Sequence, residues 1–238
     1  MKTIIHKADS RGYANHGWLK SYHTFSFASY QNPERVNFGA LRVLNDDVVQ
    51  PKMGFGTHPH QNMEIISIPL KGALSHKDSM GNKRAIEVGE VQVMSAGTGL
   101  THSEFNDSKT DEVNFLQLWI IPEENNVKPN YEQTKCDSSQ RKNKLQTVVA
   151  PKDKLEGEAL PISQQAYIYR TYLDAEKTID LIPKSIQNGL YIFVVDGKID
   201  VADSILNTRD AIGVSETQHT SIKSIEDSEL IIIEVPMD

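Results

Sequence analysis

Two pairs of residues with metal-binding side chains stand out in the chain, and each pair is spaced i, i+2. One pair is His58 and His60, and the other is His102 and Glu104. Residues two apart point to the same face of an extended strand, so each pair directs two ligand atoms to one side. Imidazole nitrogens with one carboxylate oxygen suit a divalent first-row metal such as Fe, Ni, Cu, Co, Mn or Zn. The spacing therefore predicts one metal held by two adjacent strands.

The number of these ligands indicates what kind of metal site to expect. Four protein ligands leave positions open on a metal that takes five or six, so water, substrate or oxygen can enter. This favours a catalytic site over a structural one. Glu64 has the same parity as His58 and His60 and is the alternative fourth ligand, whereas Asn62 on that face either orients a ligand or forms a turn.

Histidines outside the two pairs are assigned other roles. His76 lies near a probable turn and is predicted at the surface or rim. His23 alternates with Phe25 and Phe27 and is predicted to be packed or hydrogen-bonded rather than a ligand. His219 is predicted to have a surface or packing role, because it is the one histidine of the C-terminal half.

The elements that must position these residues are short β-rich runs between turn residues. Such spacing is typical of an all-β sandwich or barrel. A polar stretch at 122–165 divides the chain, so we expect an N-terminal metal-binding half at 1–121, a connection at 122–165 that packs partly on its neighbours, and a C-terminal half at 166–238. The runs are Gly39–Leu44, Glu64–Ile68, Val91–Met94, Phe115–Ile121, Leu190–Val195 and Leu230–Val235.

A faint internal repeat supports the division into two halves. Ile68–Leu74 lines up with Phe193–Ile199, and Asp196-Gly197 within the second segment is a hairpin signal. In this frame the positions of His58 and His60 are taken in the second half by Pro183 and Ser185. We therefore expect no metal in the C-terminal half.

Composition excludes several functional classes. The chain has 238 residues and a formal charge of -7, whereas nucleic-acid surfaces need clustered Lys and Arg, so direct DNA binding is disfavoured. No apolar stretch approaches the length of a membrane span, and the N-terminus has no apolar signal core, so we expect a soluble cytoplasmic protein. The single cysteine, Cys136, allows no intramolecular disulfide and is predicted to be an inert surface thiol.

The order of glycines, histidines and acidic residues resembles the two motifs of the cupin superfamily. Gly54 to His58 is shorter than the usual cupin form, and two extra residues precede His102. These departures match the pirin family of bicupins, which the segments Gly54–His60, Ser95–Glu104 and His23–Phe27 also resemble. The motif positions are Gly54, His58, His60, Glu64, Gly72, Gly89, Gly97, His102 and Asn106.

The resemblance implies a fold and a ligand set. Pirins consist of two stacked cupin barrels with a metal, typically Fe(II), only in the N-terminal barrel. The ligands implied here are His58, His60, His102 and Glu104, which leaves Glu64 on the barrel wall.

The same resemblance leaves two functions open. Bacterial members similar to this chain cleave the flavonol quercetin with O2, whereas eukaryotic members are iron-dependent nuclear cofactors. The first hypothesis is a metal-dependent dioxygenase for a planar phenolic substrate, in which Glu104 takes the hydroxyl proton and Phe115, Trp119 and Met53 are candidates for an apolar pocket. The second is a redox-responsive module that binds a protein partner.

Overall fold

The computed structural model describes all residues, 1–238, and is almost entirely β. It contains 22 strands and two short 3₁₀ helices, Ala8–Ser10 and Ser138–Arg141. Neither helix is long and apolar enough to cross a membrane. The predicted all-β class is confirmed.

The strands divide evenly between the two halves of the chain. Those of the first half are β1 (Lys2–His6), β2 (Gly12–Asn15), β3 (Leu19–His23), β4 (Leu41–Val49), β5 (Gly54–His60), β6 (Glu64–Lys71), β7 (Ala73–Asp78), β8 (Lys83–Glu87), β9 (Glu90–Ser95), β10 (Leu100–Asn106) and β11 (Val113–Ile120). Those of the second half are β12 (Asn130–Lys135), β13 (Gln146–Pro151), β14 (Leu160–Ile162), β15 (Tyr167–Leu173), β16 (Thr178–Leu181), β17 (Asn188–Asp196), β18 (Lys198–Val201), β19 (Ser204–Asn207), β20 (Ala211–Ser215), β21 (Thr220–Ser224) and β22 (Ser228–Pro236).

Four sheets form two barrels, each made of a seven-stranded and a four-stranded sheet. The first barrel contains the sheets β12-β9-β6-β11-β4-β3-β2 and β5-β10-β7-β8. The second contains β1-β20-β17-β22-β15-β13-β14 and β16-β21-β18-β19. The two barrels expected from the repeat are therefore present.

Two segments of the chain connect the barrels: the N-terminal strand β1 and the connection at 122–165. β1 pairs with β20 of the second barrel, although it lies in the segment assigned to the N-terminal half. Within 122–165, β12 pairs with β9, while β13 pairs with β15. The boundaries at 121 and 165 stay a prediction, and we propose 122–165 as a connection that is built into both barrels.

An apolar core lies between the two large sheets. It contains 26 buried residues from both barrels, including Leu116 and Leu118 of β11 and Phe193 of β17. Cys136 also belongs to this core and is 6% exposed, so the prediction of a surface thiol is wrong. Burial raises the pKa of that thiol, which makes it less reactive.

The interiors of the two barrels differ in polarity. The second barrel holds one continuous cluster of 17 buried apolar residues. The first holds two small clusters, of six and four buried residues. On β11, Phe115 belongs to one small cluster and Trp119 packs on the other, while Gln117 lies between them and bonds Glu104. A polar layer therefore crosses the interior of the first barrel.

Candidate metal centre

Three histidines converge in this polar layer because β5 and β10 are antiparallel neighbours. His58 and His102 lie directly opposite each other in the register. Their ring centroids are 4.5 Å apart, and each lies 4.8 Å from that of His60. Each of the three rings offers one nitrogen, and these three nitrogens all lie within 4.8 Å of one another. The expected convergence of three nitrogen donors is thus present in the structure.

The environment of these rings keeps their nitrogens available as electron-pair donors. Burial, followed by the charges of neighbouring imidazoles, lowers the pKa of His102 to about 3 and that of His60 to about 4. Both rings are therefore neutral near pH 7. His58 Nδ1 lies 2.7 Å from the carbonyl oxygen of Gly56, so a proton donated there leaves Nε2 free.

His102 gives the clearest indication that a metal fits this site. Its side chain is 2% exposed, and neither ring nitrogen has a hydrogen-bond partner. A buried polar atom without a partner costs about 1–3 kcal/mol. A metal ion on one of these nitrogens removes that cost, so the residues present fit a divalent metal.

Glu104 is buried beside the histidines and is held by two donors. Ser67 Oγ donates to Oε1 at 3.2 Å, and Gln117 Nε2 donates to Oε2 at 2.8 Å. One carboxylate oxygen of Glu104 lies within 4.8 Å of a ring nitrogen of His102 and of His76. Glu104 does not belong to the group that His58 and His60 form with His102. Its role as the fourth ligand therefore stays a prediction.

Glu64, the rival fourth ligand, faces away from the histidines. It is fully buried on the face of β6 that carries Ile66 and Ile68 into the core between the barrels, and Ser95 Oγ donates to it at 2.6 Å. Burial raises its pKa. Glu64 has the same even numbering as His60, but the chain turns between β5 and β6, where Asn62 has a φ of 49°. After this turn, even-numbered side chains no longer point to the histidines.

Asn62 therefore has the second of its two predicted roles. Its side-chain oxygen accepts from the backbone nitrogen of Asn126 at 2.7 Å, which ties the turn to the following connection. The structure gives it no contact with the histidines.

His76 was predicted at the surface, and this is wrong. It is 1% exposed, and its Nε2 lies 3.1 Å from Oδ2 of the buried Asp78. Both residues are on β7, the other neighbour of β10, where His76 lies opposite Glu104 and Asp78 opposite His102. The same i, i+2 spacing that marked the other two pairs was available here as a signal.

A cavity of about 420 Å³ opens from the histidines. This volume is in the range of small-molecule sites. Of the three predicted pocket residues, Trp119 lines the cavity, Phe115 is buried in the core and Met53 is exposed outside it. The walls are formed by Ala14, His16, Trp18, Leu19, Ser21, His23, Phe27, Ala28, Ser29, Asn45, Asp47, Phe55, His58, His60, Glu104, Gln117 and Trp119.

Two polar residues of the cavity wall add to the chemistry. Asp47, which sequence reasoning missed, is 2% exposed, and burial raises its pKa to about 7, so a large fraction of this carboxyl is protonated at neutral pH. Ser21 donates a hydrogen bond to it. His23 Nδ1 lies 3.0 Å from Asn45 Oδ1, which confirms the prediction of a hydrogen-bonded histidine.

The second barrel has no comparable site. Both groups of three potential ligands in the chain lie between residues 58 and 104. His219 is exposed and pairs with Asp180 at 2.8 Å, which confirms its predicted surface role.

Comparison with known proteins identifies the family to which the chain is similar. Residues 5–120 match the Pirin family, and residues 147–235 match the family described as quercetinase C-terminal cupin domain. The chain is 43% identical over 233 residues to the quercetin 2,3-dioxygenase of Escherichia coli K12, covering 98% of both chains. It is 37% identical to a pirin-like protein of Caulobacter vibrioides, covering 95% of this chain and 96% of the relative.

A solved structure supports the same relationship. The bacterial pirin YhhW of Escherichia coli in complex with nickel(II) has a TM-score of 0.93 and 39% sequence identity, and the match covers 100% of both chains. A quercetin 2,3-dioxygenase of Acinetobacter baumannii, at 19% identity and a TM-score of 0.79, shares the fold. The two barrels are thus cupin barrels, and the chain belongs to the pirin family.

Proposed function

We propose that this chain is a metal-dependent dioxygenase that cleaves a flavonol of the quercetin type with O2. The observation that carries the proposal is the convergence of His58, His60 and His102, of which the first two line a cavity of about 420 Å³. Support comes from the relative named quercetin 2,3-dioxygenase at 43% identity. The chain is quercetinase-like over its whole length.

One divalent transition metal per chain is proposed, held by His58, His60, His102 and Glu104. Fe(II) is our first candidate from the family resemblance, and the nickel(II) complex of a relative makes Ni the second. When bound, such a metal supplies Lewis-acid chemistry that lowers the pKa of a substrate hydroxyl, together with a site for oxygen chemistry.

Glu104 is the proposed base for the substrate hydroxyl. A carboxylate oxygen in this position takes the phenolic proton, and its two donors Ser67 and Gln117 fix its orientation during the transfer. The electron-rich flavonolate then reacts with O2, and its central ring opens with loss of carbon monoxide. Asp47 lines the same cavity, and its protonated form is able to donate a hydrogen bond to a substrate oxygen.

The aromatic side of the cavity suits a planar ligand. Trp119 lies edge-on to Phe27, with ring centroids 5.3 Å apart, and edge-on to His60 at 5.0 Å. Trp119 Nε1 is buried and has no hydrogen-bond partner in the structure, so the indole contributes an aromatic surface to the cavity. This wall positions a flat ring system beside the histidines and excludes water from it.

Oxygen uptake with quercetin tests the proposal. Metal-loaded wild-type protein is expected to consume O2 with quercetin, whereas His58→Ala, which removes one proposed ligand, is expected to lose both metal and turnover. His219→Ala, in the second barrel, is the matched control and is expected to keep both. Absence of turnover with quercetin and other flavonols, for every metal that binds, would refute the dioxygenase.

The redox-responsive binding module stays a prediction, and no surface feature favours it. Pulldowns with the metal in its reduced and oxidised states distinguish the two hypotheses. Redox-dependent capture of a protein without flavonol turnover supports the module rather than the enzyme. A cytoplasmic location likewise stays a prediction.

A further inference from the structure

A buried histidine–carboxylate pair lies next to the metal centre and is used by none of the chemistry above. The side chains of His76 and Asp78 are fully buried. Asp78 accepts hydrogen bonds from the backbone nitrogens of Met80 and Asn82, at 2.9 and 3.0 Å, and from the Asn82 amide at 2.8 Å. Asp78 thus accepts hydrogen bonds at both oxygens, which favours its ionised form. It therefore accepts a hydrogen bond from Nε2–H of His76, and the lone pair of His76 resides on Nδ1.

The atoms left without partners on His76 and His102 complement each other. His76 Nδ1 is buried and unpartnered, as are both ring nitrogens of His102. The two ring centroids are 5.3 Å apart, and the potential ligand atoms of the two residues lie within 4.8 Å. If one nitrogen of His102 binds the metal, its other nitrogen is an N–H donor that needs an acceptor. His76 Nδ1 is such an acceptor.

We infer that Asp78 and His76 form a hydrogen-bonded relay that positions His102 for the metal. His76 Nε2–H donates to Asp78 in the structure. In the metal-bound protein the relay adds a hydrogen bond from His102 N–H to His76 Nδ1, which the structure does not itself contain. The relay fixes the tautomer and orientation of the ligand ring and makes its metal-binding nitrogen more basic. The inference rests on the proposed metal centre but not on the dioxygenase reaction.

The strand register explains why this arrangement is built into the fold. Asp78 lies opposite His102 and His76 opposite Glu104, so β7 places its pair on the same interior face as the ligands of β10. The second barrel offers a matched control in His219 and Asp180, which are paired at 2.8 Å but exposed and far in sequence from the histidine cluster.

Metal affinity is the first test. Chelator competition with Zn(II) is expected to show about 10- to 100-fold weaker binding for His76→Phe, which keeps a ring but removes both nitrogens. Asp78→Asn keeps the ring but presents an amide donor to Nε2, which favours the wrong tautomer, so the same loss is expected. His219→Phe is expected to bind as the wild type does. Unchanged affinity in His76→Phe would overturn the relay.

A double variant separates the relay from two independent structural effects. Residues acting in one network have non-additive effects, so His76→Phe combined with Asp78→Asn should lose no more affinity than either single variant. Losses that multiply would show that the two residues act separately, which contradicts the relay.

Spectroscopy separates a positioning residue from a direct ligand. Pulsed EPR of the Cu(II)-loaded protein is expected to count three coordinated imidazoles in the wild type and in His76→Phe. Four in the wild type and three in the variant would make His76 a ligand and overturn the positioning role.

The wild-type protein alone provides a test that needs no variant to fold. Nitrogen NMR of the Zn(II)-loaded protein is expected to find His76 protonated at Nε2 and unprotonated at Nδ1, and the opposite tautomer would refute the relay. A wild type that binds none of these metals contradicts the metal centre and the relay together. Tight binding that is indifferent to His76 contradicts the relay alone, and neither result depends on flavonol turnover.

Discussion

At the residue scale, two buried glutamates differ in the groups that they face. Glu104 lies beside His102, whereas Glu64 faces the core between the barrels and bonds Ser95. Glu104→Gln is expected to lower metal affinity by at least about 10-fold, because it removes a negative donor from the site. Glu64→Gln, which keeps an acceptor for Ser95, is expected to retain full metal content.

Elemental analysis of the two purified variants measures this difference. Full metal in Glu104→Gln together with loss in Glu64→Gln would reverse the assignment of the fourth ligand. Equal loss in both variants would also contradict it.

Trp119 allows a prediction about substrate binding that leaves the metal untouched. Trp119→Ala removes an aromatic wall of the cavity, and an aromatic contact is worth about 0.5–1.5 kcal/mol beyond its buried area. We therefore expect the KM for quercetin to rise roughly 2- to 10-fold or more, while Trp119→Phe retains most of the binding. Steady-state kinetics on protein of equal metal content measures this, and an unchanged KM in Trp119→Ala would contradict a substrate role.

The residue pairs were predictable to different degrees. Spacing within one strand was enough to predict that His58 and His60 share a face, and likewise His102 and Glu104, because parity is a local property. His76 has the same spacing to Asp78, but the polar Lys77 and Asp78 beside a turn favoured a surface. Asp47 gave no signal, because its proximity to the site depends on which strands pair.

At the element scale, β1 connects the N-terminus of the chain to the second barrel, and His6 at its end is buried. His6 Nδ1 lies 2.7 Å from the Tyr191 hydroxyl, and burial followed by the charge of Arg35 lowers the pKa of His6 to about 4. Between pH 6.5 and pH 4 the unfolded chain binds a proton that the folded chain does not bind. His6 therefore lowers the stability as the pH falls through this window, and has no such effect above it.

This predicts a pH-dependent effect of His6→Gln. The slope is at most about 1.4 kcal/mol per pH unit, and the variant is expected to lose it. Denaturant unfolding of the metal-free protein at pH 4.5 to 7.5 measures the slope, with the exposed His219→Gln as the control. A variant whose free energy of unfolding parallels that of the wild type over this range would contradict the burial of a neutral His6.

Two features of the strands could not be predicted from the sequence pattern: which face of β6 points to the site, and which strand β1 pairs with. The run Glu64–Ile68 was expected as a strand and is part of β6, but the turn at Asn62 reverses which residues face the site. Parity therefore holds within a strand and fails across a turn. The pairing of β1 with β20 was not predictable either, because it joins residues about 200 positions apart with no complementary motif.

At the scale of the whole molecule, the core between the sheets couples the two barrels. Phe193 is fully buried in the cluster that both barrels share. Phe193→Ala is expected to cost about 3–5 kcal/mol of stability, through lost burial and the cavity that it leaves. The loss is expected in both barrels at once, because the cluster contains residues of each. Ile186→Ala, at a residue 64% exposed, is the control and is expected to change little.

Calorimetry combined with metal release measures this coupling. A single transition, with the metal lost at the same temperature as the second barrel unfolds, is the expected result. Two separate transitions, of which only the second barrel's shifts in Phe193→Ala, would contradict a shared core.

The interiors of the two barrels explain why one metal per chain is proposed. The second interior is filled mainly by 17 apolar residues, and its buried carboxylate, Glu234, accepts hydrogen bonds from Tyr169 and Asn188. The repeat in the sequence aligns Pro183 and Ser185 with the histidines, and its implication that the second barrel holds no metal stays a prediction. It did not predict that apolar side chains would close the second interior.

The most direct test of the proposed function is the stoichiometry of carbon monoxide release. Metal-loaded protein is incubated with quercetin under a known amount of O2, and quercetin, O2 and carbon monoxide are measured together. Dioxygenolytic ring cleavage predicts one carbon monoxide formed for each quercetin and each O2 consumed, and none in His58→Ala. Quercetin loss without carbon monoxide, or no loss with any bound metal, would contradict the proposed reaction.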